Sequence, residues 1–196
     1  MTEKKEDRRV RRTKKLLTQG LIQLMQEKQI KDITVRELAD LVDVNRGTFY
    51  LYYRDIFDML EQIETEIFER FNQIISAHQE GRILSQTQPM FSDLFHFIAE
   101  NEEMCRTLLS TNGDIKFLQR LSDVVEERIR ADWLTHPDGL TEAEFEYRYA
   151  FGVLGCVGLV RAWLQNHCAE AADDMAELAD RLIRQGIAPD DGMKRA

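Results

Sequence analysis

The sequence predicts an all-α protein of about nine helices, with a small three-helix head followed by a larger helical body. Three observations point that way. Nearly every long segment repeats its apolar residues at three- and four-residue steps. No stretch sustains the two-residue alternation of a strand between hairpin turns. Threonine-led capping boxes recur just before apolar runs. With 196 residues, 43% of them hydrophobic, the chain can bury one good core, or a core plus a small appended module, without metal or disulfide staples.

Taken in order, Leu17, Leu21 and Leu24 place one apolar stripe on a first helix spanning roughly Arg8 to Glu27. Thr34-Val-Arg-Glu37 is a capping box and starts a second, short helix at Val35, which runs to about Val42 and buries Leu38, Ala39 and Val42. Asp43-Val44 turns the chain, and Asn45 caps a third helix that reaches Tyr53. The fourth helix follows Asp55 and runs to about His78, with Ile56, Met59, Leu60, Ile63, Ile67, Phe71 and Ile74 on its apolar side. Gly81 to Gln88 is loop-like, and Pro89 suits the first position of a fifth helix that ends near Glu100. Asn101 then caps a sixth, and a seventh spans about Asp114 to Leu134. His136-Pro-Asp-Gly139 breaks the chain with turn chemistry. Thr141-Glu-Ala-Glu144 is a second capping box and opens a long eighth helix to about Asn166, and a last helix ends near Gly186. The expected division is 1–55 for the head and 56–196 for the body, with no internal repeat and a polar tail after Pro189.

Composition excludes several classes. Cys105, Cys156 and Cys168 form no CxxC pair and are odd in number, which fits free thiols in a reducing cytoplasm. The charged start MTEKKEDRRVRRTKK lacks the apolar stretch of an export signal, so a cytoplasmic location is expected. The longest apolar run, Tyr149 to Val160, is shorter than the roughly 20 residues that span a bilayer; it reads as a buried helix, with no membrane partner. The net charge of −9 is unevenly spread. Residues 1 to 54 carry 13 Lys/Arg against 8 Asp/Glu, a balance of +5, and the remaining 142 hold 13 against 27, a balance of −14. A basic head on an acidic body suits a polyanion that only the head touches.

The head carries the chemistry. Two short helices joined by a tight turn, the second showing polar and aromatic groups, match the shape a DNA major groove accepts. On the third helix Phe49 and Tyr53 share one face, and Arg46, Gly47, Tyr50 and Leu51 share the other. Arg46 at the helix start can donate two hydrogen bonds to a guanine edge, and Gly47 lets the backbone come close. Thr48 suits a thymine methyl or a phosphate, and the hydroxyls of Tyr50 and Tyr52 suit the DNA backbone. The basic stretch Arg8 to Lys15 reads equally well as a phosphate clamp or a soluble end.

The segment Thr34-Val-Arg-Glu-Leu-Ala-Asp-Leu-Val-Asp-Val-Asn-Arg-Gly-Thr-Phe-Tyr-Leu-Tyr-Tyr53 resembles the helix-turn-helix of the bacterial tetracycline-repressor (TetR/AcrR) family, over about residues 10 to 60. The resemblance implies an all-helical homodimer with an N-terminal three-helix helix-turn-helix domain and a C-terminal ligand-binding and dimerisation domain. Its recognition helices would enter successive major grooves of a palindromic double-stranded operator. The DNA-binding set it implies is Thr34, Arg36, Asn45, Arg46, Gly47, Thr48, Tyr50, Tyr52 and Arg54. Two departures stand out. Asp43 replaces the glycine usual at the turn, and Ile56 stands where a phosphate-binding lysine often opens the fourth helix, leaving Arg54 as its substitute.

In the body, Gly152, Gly155 and Gly158 recur every third residue of the eighth helix, at a cost of about 1 kcal/mol each relative to alanine, which implies close approach of another helix. The resemblance places that partner across a dimer axis, with Gly152, Gly155, Gly158, Val160 and Trp163 at the interface. Phe91 to Leu109 and Gly155 to Leu164 are also loosely similar to the branch that activates dihydroxyacetone kinase genes. An effector pocket would draw on Phe91, Phe95, Met104, Phe117, Trp133, Phe151 and Trp163, with core packing as the alternative for each. The four histidines are scattered, His96 with Asp93 and Glu100 being a remote metal candidate, and no nucleophile elbow or phosphate loop occurs. The expectation is a regulator without cofactor, metal or catalytic site, a homodimeric repressor released by an unknown small molecule. A co-activator on the same scaffold is the alternative, and a helical enzyme or carrier a distant one.

Overall fold

The computed structural model describes residues 8–78, 87–109, 115–135, 139 and 141–186. Among these residues the chain is all-α, with nine helices and one 3-10 turn. Packing divides it into two units, Met1–Ile67 and Phe68–Ala196, here the head and the body. The division falls inside the fourth helix, whose first turns bury Ile56, Met59, Leu60 and Ile63.

In the head, α1 (Arg8–Glu27) is followed by a 3-10 turn (Ile30–Asp32), α2 (Val35–Leu41), α3 (Arg46–Tyr50) and the start of α4 (Ile56–Ala77). Leu17 and Leu21 are fully buried and Leu24 nearly so, as their spacing requires. Gly20 shares that face for a different reason. A Cβ there would lie 2.4 Å from Val42 Cγ1 and 2.9 Å from Leu38 Cδ1, so the missing side chain lets α1 and the end of α2 meet. The Thr34 hydroxyl accepts the Glu37 N–H at 3.2 Å, but the Glu37 carboxylate pairs with Lys28 instead of returning to Thr34. Only half of the expected capping box forms, because a nearby ammonium outcompetes one backbone N–H. Asp43 makes the turn with φ of 52°, the left-handed geometry that aspartate tolerates better than most residues.

The third helix is shorter than expected. It stops at Tyr50, and Leu51 and Tyr52 form a turn whose N–H groups return to Thr48 and Phe49. Asn45 caps it as expected, its Oδ1 accepting the Gly47 N–H at 2.7 Å.

The body contains the rest of α4, α5 (Thr87–Glu100), α6 (Glu102–Leu108), α7 (Ile115–Thr135), α8 (Glu142–Gln165) and α9 (Ala172–Gly186). Helix α5 begins two residues before Pro89, because the buried Thr87 hydroxyl donates to Asp180 on α9 and so anchors the first turn. Asn101 does not cap α6 with its side chain; its amide donates to the Phe97 carbonyl at 2.8 Å instead. The second capping box is complete: Thr141 and Glu144 satisfy each other's backbone N–H at the start of α8. Gly81 to Gln86, Asp114, His136 to Asp138 and the tail after Pro189 lie outside the described residues, and Gly139 has φ of 74°.

One core joins α5, α6, α8 and α9. Phe91, Phe95 and Ile98 meet Trp163, Leu164, Met175, Ala176 and Ala179, with Phe95 edge-on to Trp163 at 5.2 Å. Helix α7 packs elsewhere. Trp133 stacks on Phe145 of α8 at 4.5 Å, Tyr149 donates to the Ser122 carbonyl at 3.0 Å, and Arg128 donates to Ser76 of α4 at 2.7 Å. Burial pushes the Cys105 thiol up to about 12 and the Cys156 thiol up to about 11, so both stay protonated and weakly nucleophilic at neutral pH.

Gly20→Ala sets a helix-propensity gain of about 1 kcal/mol against overpacking of about 1–3 kcal/mol. Because two side chains must move, a lower urea midpoint is expected; an unchanged midpoint would show that Val42 yields freely. Asn45→Ala removes a cap worth about 1 kcal/mol, and thermal melting should show that loss in full, because α3 has only five residues to share it.

Candidate nucleic-acid interface

The head displays its polar groups by burying their neighbours. Phe49 is fully buried and Tyr53 nearly so, their rings 5.5 Å apart. That anchor turns the opposite side of α3 outward. Arg46 and Gly47 are exposed, Tyr50 is 59% exposed and Leu51 is 76% exposed. The face expected from helical spacing is therefore present, although the helix carrying it is only five residues long. Thr48 is half-buried.

The remaining DNA-binding candidates fall into three groups. Arg36 projects from α2 with its side chain 74% exposed, in a loose 3.7 Å pairing with Asp40. Tyr52 is half-buried beside Tyr53, with the Lys14 ammonium 6.0 Å from its ring centre. Thr34 and Asn45 are exposed, but each spends a side-chain oxygen on a helix cap. Their contribution is to hold α2 and α3 in place.

Arg54 is already engaged. Asp58 accepts its backbone N–H at 2.8 Å and its guanidinium at 3.1 and 3.3 Å. The Arg54 backbone N–H foremost, and then its side chain, hold the Asp58 carboxyl below the usual carboxylate range. The folded value lies below the unfolded one, so the stability from this pairing is fully present above the ordinary carboxylate range and is lost only as the pH falls on through the depressed folded value beneath it. Ile56, at the position of the missing lysine, is buried and offers nothing to a phosphate.

Sequence spacing did not reveal Lys14 beside Tyr52 or Asp58 gripping Arg54. The second was visible in principle, since 54 and 58 are four apart at a helix start. The first joins α1 to the turn after α3, and no local pattern reports such a meeting.

In the body, the expected pocket residues do not assemble into one lining. Phe91, Phe95 and Trp163 are buried in a single core, and Phe117 is buried as well. Met104 is half-buried, while Phe151 points outward, 65% exposed. Trp133 is half-buried, and its indole Nε1 is buried with no hydrogen-bond partner among the described residues.

The expected dimer residues also separate. Val160 and Trp163 are buried in the core of one copy, and Gly152 is buried too. Gly155 and Gly158 are exposed, and a Cβ at either would meet nothing within 4 Å. They share a face with Tyr147, Phe151 and Leu154, all largely exposed. The apolar run from Tyr149 to Val160 is thus not a buried helix in one copy; only one side of it is covered. Among the described residues no helix is long and apolar enough to cross a membrane, and no three metal-ligating side chains gather. Asp93 pairs with His78 at 2.8 Å, and His96 with the Ser92 carbonyl.

Residues 85–185 match the family profile of the TetR-type transcriptional regulator C-terminal region, about half of the chain. The HTH-type transcriptional regulator YxbF of Bacillus subtilis is 22% identical over 172 residues, covering 85% of this chain and 43% of that protein. The chain spans about half the length of the curated relatives it matches. The dihydroxyacetone kinase operon activator DhaS superposes with a TM-score of 0.56 at 15% identity, covering 89% of this chain and 96% of that one. The regulator FadR of Bacillus subtilis, solved in complex with stearoyl-CoA, has a TM-score of 0.62 at 14% identity, covering 88% and 98%. The chain belongs to the TetR family of transcriptional regulators.

Proposed function

We propose that this regulator binds a palindromic double-stranded DNA operator as a homodimer and is a repressor released by a small-molecule effector. The observation that carries the DNA-binding reading is the outward display of Arg46, Gly47 and Tyr50 on a capped helix anchored by Phe49. Arg46 reads a guanine edge in the major groove. Tyr50, Thr48, Tyr52 and Arg36 position the head on the phosphates, and Arg54 reaches a phosphate only by giving up Asp58.

The dimer reading rests on α8. A helix that is apolar all round is buried all round, yet Tyr147, Phe151 and Leu154 lie open in one copy beside two uncovered glycines. A second copy of α8 covers them and recovers the helix-propensity cost of Gly155 and Gly158 through close backbone approach. Two-fold symmetry then matches a palindrome.

The effector reading rests on the likeness to a fold neighbour carrying stearoyl-CoA, on the aromatic-rich body and on the unpartnered Trp133 N–H. An effector shifts the regulator off DNA only if it binds the released state more tightly. Helix α4 belongs to both units and is the element through which the shift passes. The likeness to an operon activator supports the opposite sign, co-activation with a second protein, as the alternative. A reporter driven by the selected operator separates the two: deletion of the gene raises expression for a repressor and lowers it for an activator.

Selection of bound fragments from the source genome tests the central reading. Arg46→Ala should relax preference at particular base pairs, each worth about 1–3 kcal/mol, whereas Tyr50→Phe should weaken all sequences about equally. An Arg46→Ala protein with unchanged preferences removes the reader role. For the dimer, Phe151→Asp with Leu154→Asp should sediment as a monomer while keeping its helical spectrum, because neither residue belongs to the core of one copy. A stable dimer in that variant would place the interface elsewhere.

A further inference from the structure

Six of the first eight residues of α1 are cations, Arg8, Arg9, Arg11, Arg12, Lys14 and Lys15, and no acid enters the helix before Glu27. At about 100° per residue, Arg8, Arg11, Arg12 and Lys15 fall within an arc of about 100°, on the side of α1 away from Leu17, Leu21 and Leu24. All four are exposed. Lys14 lies about 60° outside this arc, one turn on from Arg11, and its ammonium stands 6.0 Å from the ring centre of Tyr52, two residues past the end of α3.

Local electrostatics work against this stretch of helix. Cations three and four residues apart repel one another. A helix needing only solubility has no use for such an arrangement, and a row of phosphates turns that repulsion into attraction. We propose that the outward face of the first two turns of α1 is a second phosphate-binding surface, which grips the DNA backbone beside the bases read by α3 and is itself stabilised as helix by those phosphates. This inference rests on the DNA-binding reading of the head but on different residues. Duplex DNA, and not an anionic membrane, is its occupant because Lys14 makes the surface continuous with the turn after α3.

The test uses the full chain and two fluorescent duplexes, one carrying the sequence enriched from the source genome and one scrambled, titrated over a range of KCl. The variant R8Q/R11Q/R12Q/K15Q should bind both about 10- to 100-fold more weakly at moderate salt. Its plot of log affinity against log salt should be shallower by about 0.9 for each phosphate that the variant no longer neutralises. R8K/R11K/R12K should restore the slope, and amide exchange over residues 8–15 in the wild type should slow when DNA is added. Melting temperatures control for folding, and the single variants R8Q and K15Q should show smaller changes of slope in the same direction. A quadruple variant with wild-type slope and affinity overturns the inference, and if Arg46→Ala still relaxes sequence preference, the DNA-binding reading stands without it. Charge-dependent binding to phosphatidylglycerol vesicles, abolished in the quadruple variant while its DNA slope is unchanged, also overturns it. Wild-type protein that binds neither duplex ends both readings together.

Discussion

A helix of five residues cannot hold itself together: isolated helices shorter than about 12–15 residues are marginal in water. Helix α3 exists because both of its ends are held by something other than its own backbone. Asn45 satisfies the first turn, and Phe49, fully buried, ties the last turn to the head core. Everything the head offers to a groove follows from that burial, because fixing Phe49 inward fixes Arg46 and Tyr50 outward. The rest of the head supports the same anchor. Gly20 lets α1 approach the end of α2, and Asp43 takes the left-handed turn that aims α3.

The body follows another constraint. Helix α8 has two apolar sides, and one copy of the chain covers only one of them. Phe145, Val160, Trp163 and Leu164 face inward and are buried, while Tyr147, Phe151 and Leu154 face solvent. Exposed aromatic and aliphatic side chains beside open glycines make an uncovered apolar surface, the one on which the proposed dimer rests. The charge imbalance acts alongside. Residues 55–196, with a balance of −14, are repelled by a polyanion, which leaves residues 1–54, with a balance of +5, as the stretch that can approach one.

Several departures from sequence expectation are caused by an interaction between residues far apart in the chain. Glu37 leaves its capping box for Lys28. Helix α5 starts before Pro89 because Thr87 reaches Asp180, ninety-three positions along the chain. Phe91, Phe95 and Trp163, candidates for a pocket with core packing as the alternative, fill a core because α5, α8 and α9 close on one another. Aromatic residues at helical spacing look alike in a sequence whether they line a cavity or fill one.

The sequence by itself determined the helices, their approximate limits, the complete capping box at Thr141, the left-handed turn at Asp43 and the inward and outward faces of α3. All of these depend on residues within a turn or two of each other, so 3.6-residue periodicity and local hydrogen bonding suffice to specify them. Tertiary structure alone decided which side of α8 is covered and that Lys14 stands beside Tyr52. Those outcomes depend on which helices pack together, and a burial pattern written on one helix records that a face is covered without recording what covers it.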